Sequence, residues 1–294
     1  MEHPCEIQLD SRQGQLAGLA WRNPDAPRVL CLHGWLDNAA SFIPLANLLR
    51  QLDLVALDLP GHGHSEHRHT TTRYHFIDYL FNVDAALDEL GWEDCHFIGH
   101  SLGAAISAAY SAGAPERVRS IVLLDSMGPV SSTADTTTGR LRRSLVKNRR
   151  GTSRIRQFES IENMVKARRM VSDISPAAAR LICERAARPV DGLFQWRSDP
   201  ALNWVSSLVM TDEQAMDLVS NIEAPALTFT ATEESPWSSL AKLEARKQAM
   251  AHATHVTLQG NHHFHMDDPG PIADTIDTFI HDNDQPREPH EQAD

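Results

Sequence analysis

Residues 95–113 decide the fold: Cys95-His96-Phe97-Ile98-Gly99-His100-Ser101-Leu102-Gly103-Ala104-Ala105-Ile106-Ser107-Ala108-Ala109-Tyr110-Ser111-Ala112-Gly113. The apolar run ending at Ile98 reads as a buried strand, and the small-residue stretch from Leu102 reads as a closely packed helix. Between them, Gly99-His100-Ser101-Leu102-Gly103 sets a serine on a tight strand-to-helix turn. Such a turn strains the serine backbone, so the residues two before and two after it must be small, as Gly99 and Gly103 are. The turn exposes the hydroxyl, and the start of the following helix offers backbone N–H groups to a developing oxyanion, with Leu102 N–H as the expected donor. The competing reading is a purely structural turn.

Working outward, Arg28-Val29-Leu30-Cys31-Leu32, Leu54-Val55-Ala56-Leu57-Asp58-Leu59 and Ser120-Ile121-Val122-Leu123-Leu124-Asp125 are nearly continuous apolar runs. A parallel sheet covered on both faces requires that pattern. Phe42, Leu45, Leu48 and Leu49 fall at helical spacing between the first two, so strand and helix alternate. Shorter strands, Glu6–Leu9 and Gln15–Trp21, precede them. Pro225–Ala231 and His255–Leu258 resume the pattern after an Arg-rich stretch with helix starts at Ser160 and Ser175. The expected fold is α/β, a mostly parallel central sheet with helices on both faces. The expected divisions are a core over 1–129 and 222–281, a helical lid inserted over 130–221, and a disordered tail over 282–294.

At 294 residues, 41% hydrophobic and 22% charged, the chain has the composition of a globular protein able to bury a large core. No apolar run approaches the roughly 18 residues of a spanning helix, so stable membrane insertion is not expected. The N-terminal stretch lacks a hydrophobic signal core, so the expected location is cytoplasmic. Cys5, Cys31, Cys95 and Cys183 form no C-x-x-C pair and are expected to be reduced and buried. A net charge of −12 opposes nucleic-acid binding. The charge is uneven, because fifteen Lys and Arg stand against five acids between Gly139 and Arg197. This basic stretch would attract anions to the insertion; the alternative is a solvated helix face. The sequence leaves the oligomeric state open.

A serine hydroxyl is a weak nucleophile at neutral pH and needs a base, most often histidine. After the strand His255–Leu258 comes Gly260-Asn261-His262-His263-Phe264-His265-Met266-Asp267-Asp268-Pro269, in which three histidines compete. His262 follows Gly260-Asn261 and stands seven residues before Pro269, the position that resemblance to the G-x-H pattern of α/β-hydrolases implies for the base. No metal spacing accompanies the cluster, so neither metal nor cofactor is expected. His33-Gly34-Trp35 follows the strand Arg28–Leu32, and Trp35 N–H is the expected second oxyanion donor; His33 reads as a holder of its loop. Two carboxylates compete to orient the base. Asp125 ends the strand after the serine helix, and Glu234 follows the strand Pro225–Ala231. Asp125 is favoured, and its competing reading is a turn cap.

The segments Leu32-His33-Gly34-Trp35-Leu36-Asp37-Asn38-Ala39-Ala40-Ser41-Phe42, Leu57-Asp58-Leu59-Pro60-Gly61-His62-Gly63-His64-Ser65 and Phe97–Ile106 resemble the serine hydrolase-like group of α/β-hydrolases. Similarity extends roughly from Gln15 to Phe279, with Arg168, Arg169 and Trp196-Arg197-Ser198-Asp199-Pro200 as further landmarks. The resemblance implies the α/β-hydrolase fold, an acyl-enzyme mechanism and a small-molecule ester-like substrate, a carboxylic ester or a thioester. Related haloalkane dehalogenases sometimes place their acid where Asp125 stands. They and epoxide hydrolases use an aspartate nucleophile where this chain has Ser101, so neither activity is expected. A perhydrolase or C–C bond hydrolase with the same triad, and a ligand-binding protein that has lost turnover, are the alternatives.

Overall fold

The computed structural model describes residues 4–69, 72–150, 156–204, 206–232 and 240–285. Along the chain run β1 (Cys5–Ser11), β2 (Gly14–Trp21), β3 (Arg28–Leu32), α1 (Ile43–Ala46), β4 (Asp53–Asp58), α2 (Phe76–Leu90), β5 (Cys95–His100), α3 (Leu102–Gly113) and β6 (Val118–Leu124). An insertion follows with α4 (Thr137–Arg150), β7 (Gln157–Phe158), α5 (Ile161–Arg169), α6 (Pro176–Ala186), β8 (Ala187–Val190), β9 (Leu193–Trp196) and α7 (Asp212–Ser220). The chain then returns to the sheet through β10 (Ala226–Ala231), α8 (Leu240–Ala249), β11 (Thr254–Leu258), α9 (Phe264–Asp267) and α10 (Gly270–Asp282).

Eight strands form one sheet in the order β1-β2-β4-β3-β5-β6-β10-β11. The β1–β2 and β2–β4 pairs are antiparallel and the remainder are parallel. Alternation of side chains along each strand divides the core in two. On one face Leu30, Leu32, Phe97 and Ile121 pack with Val83 and Leu87 of α2, Ile106 of α3 and Val219 of α7. On the other, Val29, Cys31, Ile98 and Val122 pack with Leu45 of α1 and Ile272 and Ile276 of α10. The continuous apolar runs thus have the double-sided burial that their composition requires.

The structure departs from the sequence reading in four places. The insertion is not wholly helical, because β7-β9-β8 form a small antiparallel sheet. Its final helix, α7, belongs to the core through Val219, so the core resumes before residue 222. The start of the expected tail is ordered: α10 runs through Asp282, and Asp284 accepts from Arg119 at 2.6 Å. Residues 286–294 of that proposed tail lie outside the described residues. Finally, Cys5 is exposed on the edge strand, whereas the other three cysteines are buried.

Buried polar ties fasten the insertion to the sheet. Arg185 of α6 forks onto Asp58 at 2.7–3.0 Å, and Asp58 also accepts from the backbone of Ala39 and His64, each at 2.8 Å. Arg168 of α5 reaches Asp37 at 2.5 Å. Asn38 Nδ2 donates to the Ile182 carbonyl at 2.9 Å, and Asp199 N–H donates to Gly61 at 2.8 Å. Two cations of the basic stretch are therefore buried structural partners.

Candidate active site

Ser101 occupies the turn between β5 and α3 with φ 51° and ψ −109°, a left-handed conformation that a non-glycine residue adopts at a cost. The flanking glycines are sterically obligatory. A Cβ on Gly99 would stand 2.5 Å from Ala104 N, and one on Gly103 would overlap the Leu32 carbonyl oxygen. Gly103 N–H donates to the His33 carbonyl at 3.1 Å, which holds the His33–Trp35 loop against the start of α3. His33 accepts from Leu59 N–H through Nε2 at 2.9 Å, so its Nδ1–H donates to the Gly34 carbonyl at 2.7 Å. It holds its loop, as its sequence context indicates. Trp35 and Leu102 thus lie on the two segments that meet beside Ser101.

Strand register sets the second partner. His100 of β5 pairs with Leu124 of β6, so Ser101 and Asp125 emerge side by side from adjacent strand ends. Ser101 N–H donates to the Leu124 carbonyl at 2.9 Å, and Asp125 N–H donates to the Phe229 carbonyl of β10 at 2.8 Å. Asp125 also has a positive φ of 54°. Its Oδ1 accepts from Ala231 N–H at 2.9 Å, which leaves Oδ2 to accept from His262 Nδ1 at 2.5 Å. The Asp125 side chain is 8% exposed and that of His262 is 22% exposed. The carboxylate is nearly dry while the imidazole is partly exposed. Asp125 is therefore the acid that meets His262; Glu234 lies outside the described residues.

The other histidines of the loop turn inward. His263 and His265 are buried, and neither ring has a hydrogen-bond partner. His100, between the turn and this loop, uses Nε2–H to hold the His262 carbonyl at 2.8 Å. Burial lowers the His100 pKa to about 4, so it is a neutral donor. His263 Nε2 and His100 Nδ1 stand 3.5 Å and 3.6 Å from the Asp37 carboxylate. Burial pushes the Asp37 pKa up, but Arg168 foremost, then His100 and His263, hold it well below the usual carboxylate range. Asp37 and His100 were not singled out from the sequence; the signal available was their position in the His33-Gly34-Trp35 loop and immediately before Ser101. Among the described residues no group of three His, Cys, Asp or Glu side chains forms a metal site.

These features are those of an α/β-hydrolase, and residues 27–269 match the family model for the alpha/beta hydrolase fold; the chain belongs to that family. It is similar to the serine hydrolase-like protein of Danio rerio, at 29% identity over 97% of this chain and 89% of that one. It also resembles a hypothetical protein of Pseudomonas aeruginosa PAO1 whose crystal structure superposes with a TM-score of 0.87. Identity there is 32%, covering 95% of this chain and all of the other. A thioesterase domain from the curacin biosynthetic pathway shares the fold at a TM-score of 0.80 and 22% identity, over 95% of this chain and 99% of that domain. No helix among the described residues is long and apolar enough to cross a membrane.

Proposed function

We propose that the protein is a serine hydrolase that cleaves a small carboxylic ester, or a thioester, through an acyl-enzyme. In this reading Ser101 Oγ attacks the acyl carbon, His262 takes the hydroxyl proton at Nε2 and passes it to the leaving group, and Asp125 holds the imidazole and stabilises its cationic form. The N–H groups of Trp35 and Leu102 bind the oxyanion. Water activated by the same histidine then attacks the acyl-serine, which releases the acid and restores the hydroxyl. The observation that carries the proposal is the 2.5 Å contact between Asp125 and His262, made by an acid whose strand end lies beside that of Ser101. A mere turn cap has no need of the second oxygen on an imidazole.

The test is pre-steady-state hydrolysis of p-nitrophenyl esters of short and medium acids, followed by product analysis. The proposal predicts a burst of nitrophenolate matching the active protein, then slower turnover to the free acid and alcohol. Stoichiometric binding without a burst favours a ligand-binding protein. Peracid or carbon–carbon cleavage products assign the same residues to one of the other reactions.

A further inference from the structure

Helix α4, Thr-Thr-Gly-Arg-Leu-Arg-Arg-Ser-Leu-Val-Lys-Asn-Arg-Arg over residues 137–150, is built inside out. A helix of a globular protein turns its apolar side chains to the core and its charges to water. Here, among the described side chains, the buried one is Ser144, with Arg140 and Lys147 half-buried on the same line of the helix. The helix's three large apolar side chains, Leu141, Leu145 and Val146, are 44%, 47% and 39% exposed. At 100° per residue, Arg142 and Arg149 point directly outward, with Leu141 and Leu145 on one flank and Val146 on the other. The helix sequence holds six cations and no acid, in a chain whose net charge is −12. Nothing in the proposed ester chemistry uses this face. The surrounding insertion is also rich in exposed apolar groups. Among the described residues, seven of the eleven exposed large hydrophobic side chains fall between Val130 and Leu208, including Met170 at 83% and Val171 at 78%.

We propose that α4 is an interfacial helix that docks the insertion on an anionic lipid surface. Exposed leucines sink into the headgroup boundary while outward arginines extend to lipid phosphates and carboxylates, an arrangement that a bilayer accommodates because it is deformable. The charge complementarity is local: an interfacial potential decays within about 8–10 Å, so the docked face meets it and the acidic remainder of the chain does not. A nucleic acid would use the arginines but leave the interleaved leucines exposed to water. The helix lies on the membrane and does not span it.

The experiment is flotation of the full-length protein with vesicles of phosphatidylcholine alone and of phosphatidylcholine with phosphatidylserine, over a salt series. Wild type is expected to float with the anionic vesicles, to ignore the neutral ones, and to be released as salt rises. Leu141→Ser with Leu145→Ser, which retains every charge, is expected to weaken flotation by roughly fivefold or more. Arg142→Gln with Arg149→Gln is expected to weaken it by roughly tenfold or more. Both variants alter exposed side chains, and unchanged circular dichroism and urea midpoint verify their folds. Equal flotation with neutral vesicles, no flotation, or flotation indifferent to both pairs overturns the proposal. Failure to float combined with a dimer that Leu141→Ser and Leu145→Ser dissociate assigns the face to a second copy of this chain. Failure to float combined with salt-sensitive oligonucleotide binding assigns it to nucleic acid.

Discussion

Replacing Arg168 with methionine removes the cation that neutralises Asp37 but keeps most of the apolar stem. The two side chains are 9% and 1% exposed and meet at 2.5 Å, so neither charge is screened by much solvent. Removing one member of such a pair leaves a buried charge uncompensated and costs about 3–5 kcal/mol, against at most about 1 kcal/mol for a solvated pair. For a domain stable by about 5–15 kcal/mol this is a large share. Urea unfolding of wild type, Arg168→Met, Asp37→Asn and the double variant gives the coupling as a cycle. The double variant, with no buried charge to strand, is expected to recover most of the loss. The pH dependence has a definite sign. In wild type the depressed Asp37 pKa contributes stability above the ordinary carboxylate pKa, and this is lost only as pH falls through the lower folded value. Without Arg168, Asp37 or the adjacent His100 takes up a proton at higher pH than in wild type. The deficit relative to wild type should therefore narrow as pH falls, before wild type itself begins to lose the contribution of Asp37. A loss below about 1 kcal/mol that does not vary with pH refutes this account of how the insertion is fastened.

Asp125→Asn keeps an oxygen for Ala231 N–H and tolerates the positive φ, so urea unfolding should show a nearly unchanged fold while ester turnover falls by about 10³–10⁴. Gly103→Ala drives a methyl group into the Leu32 carbonyl; it should cost about 1–3 kcal/mol in urea unfolding and slow acylation of Ser101, and wild-type values for both contradict the steric reading. Burial lowers the pKa of His62 to about 3 and of His100 to about 4, and it lowers those of His33 and His265 as well. Their neutral forms stabilise the fold fully above about pH 6.5, and each loses about 1.4 kcal/mol per pH unit as pH falls from there toward its folded value. A urea midpoint that is flat between about pH 7 and 5 contradicts that burial.

What the sequence made legible follows from how local each signal is. The strand-to-helix turn at Ser101 is dictated within five residues, since Gly99 and Gly103 have no other way to clear Ala104 and Leu32. The parallel strands are readable because burial on both faces forces an unbroken apolar run. Ser160 and Ser175 cap α5 and α6 through their side chains, as their placement indicates. Contacts between segments far apart in the chain left no such mark. The pairing of Asp37 with Arg168 spans 131 positions, and that of Asp58 with Arg185 spans 127. The basic composition of the insertion therefore looked uniform, although it contains both buried ties and the outward face of α4. The short β7, β8 and β9 were hidden because strands of two to four residues in an Arg-rich stretch carry too little alternation to stand out. The tail reads as unstructured from its polarity, yet Asp284 is fixed by Arg119, 165 positions earlier.

A fluorophosphonate probe, with the adduct located by intact and peptide mass, decides whether Ser101 is an activated nucleophile. An activated serine gives one adduct on the peptide containing Ser101, none in Ser101→Ala, and strongly slowed labelling in His262→Ala, all with folded protein. An adduct on another residue, or no adduct on folded wild type with an accessible pocket, contradicts it.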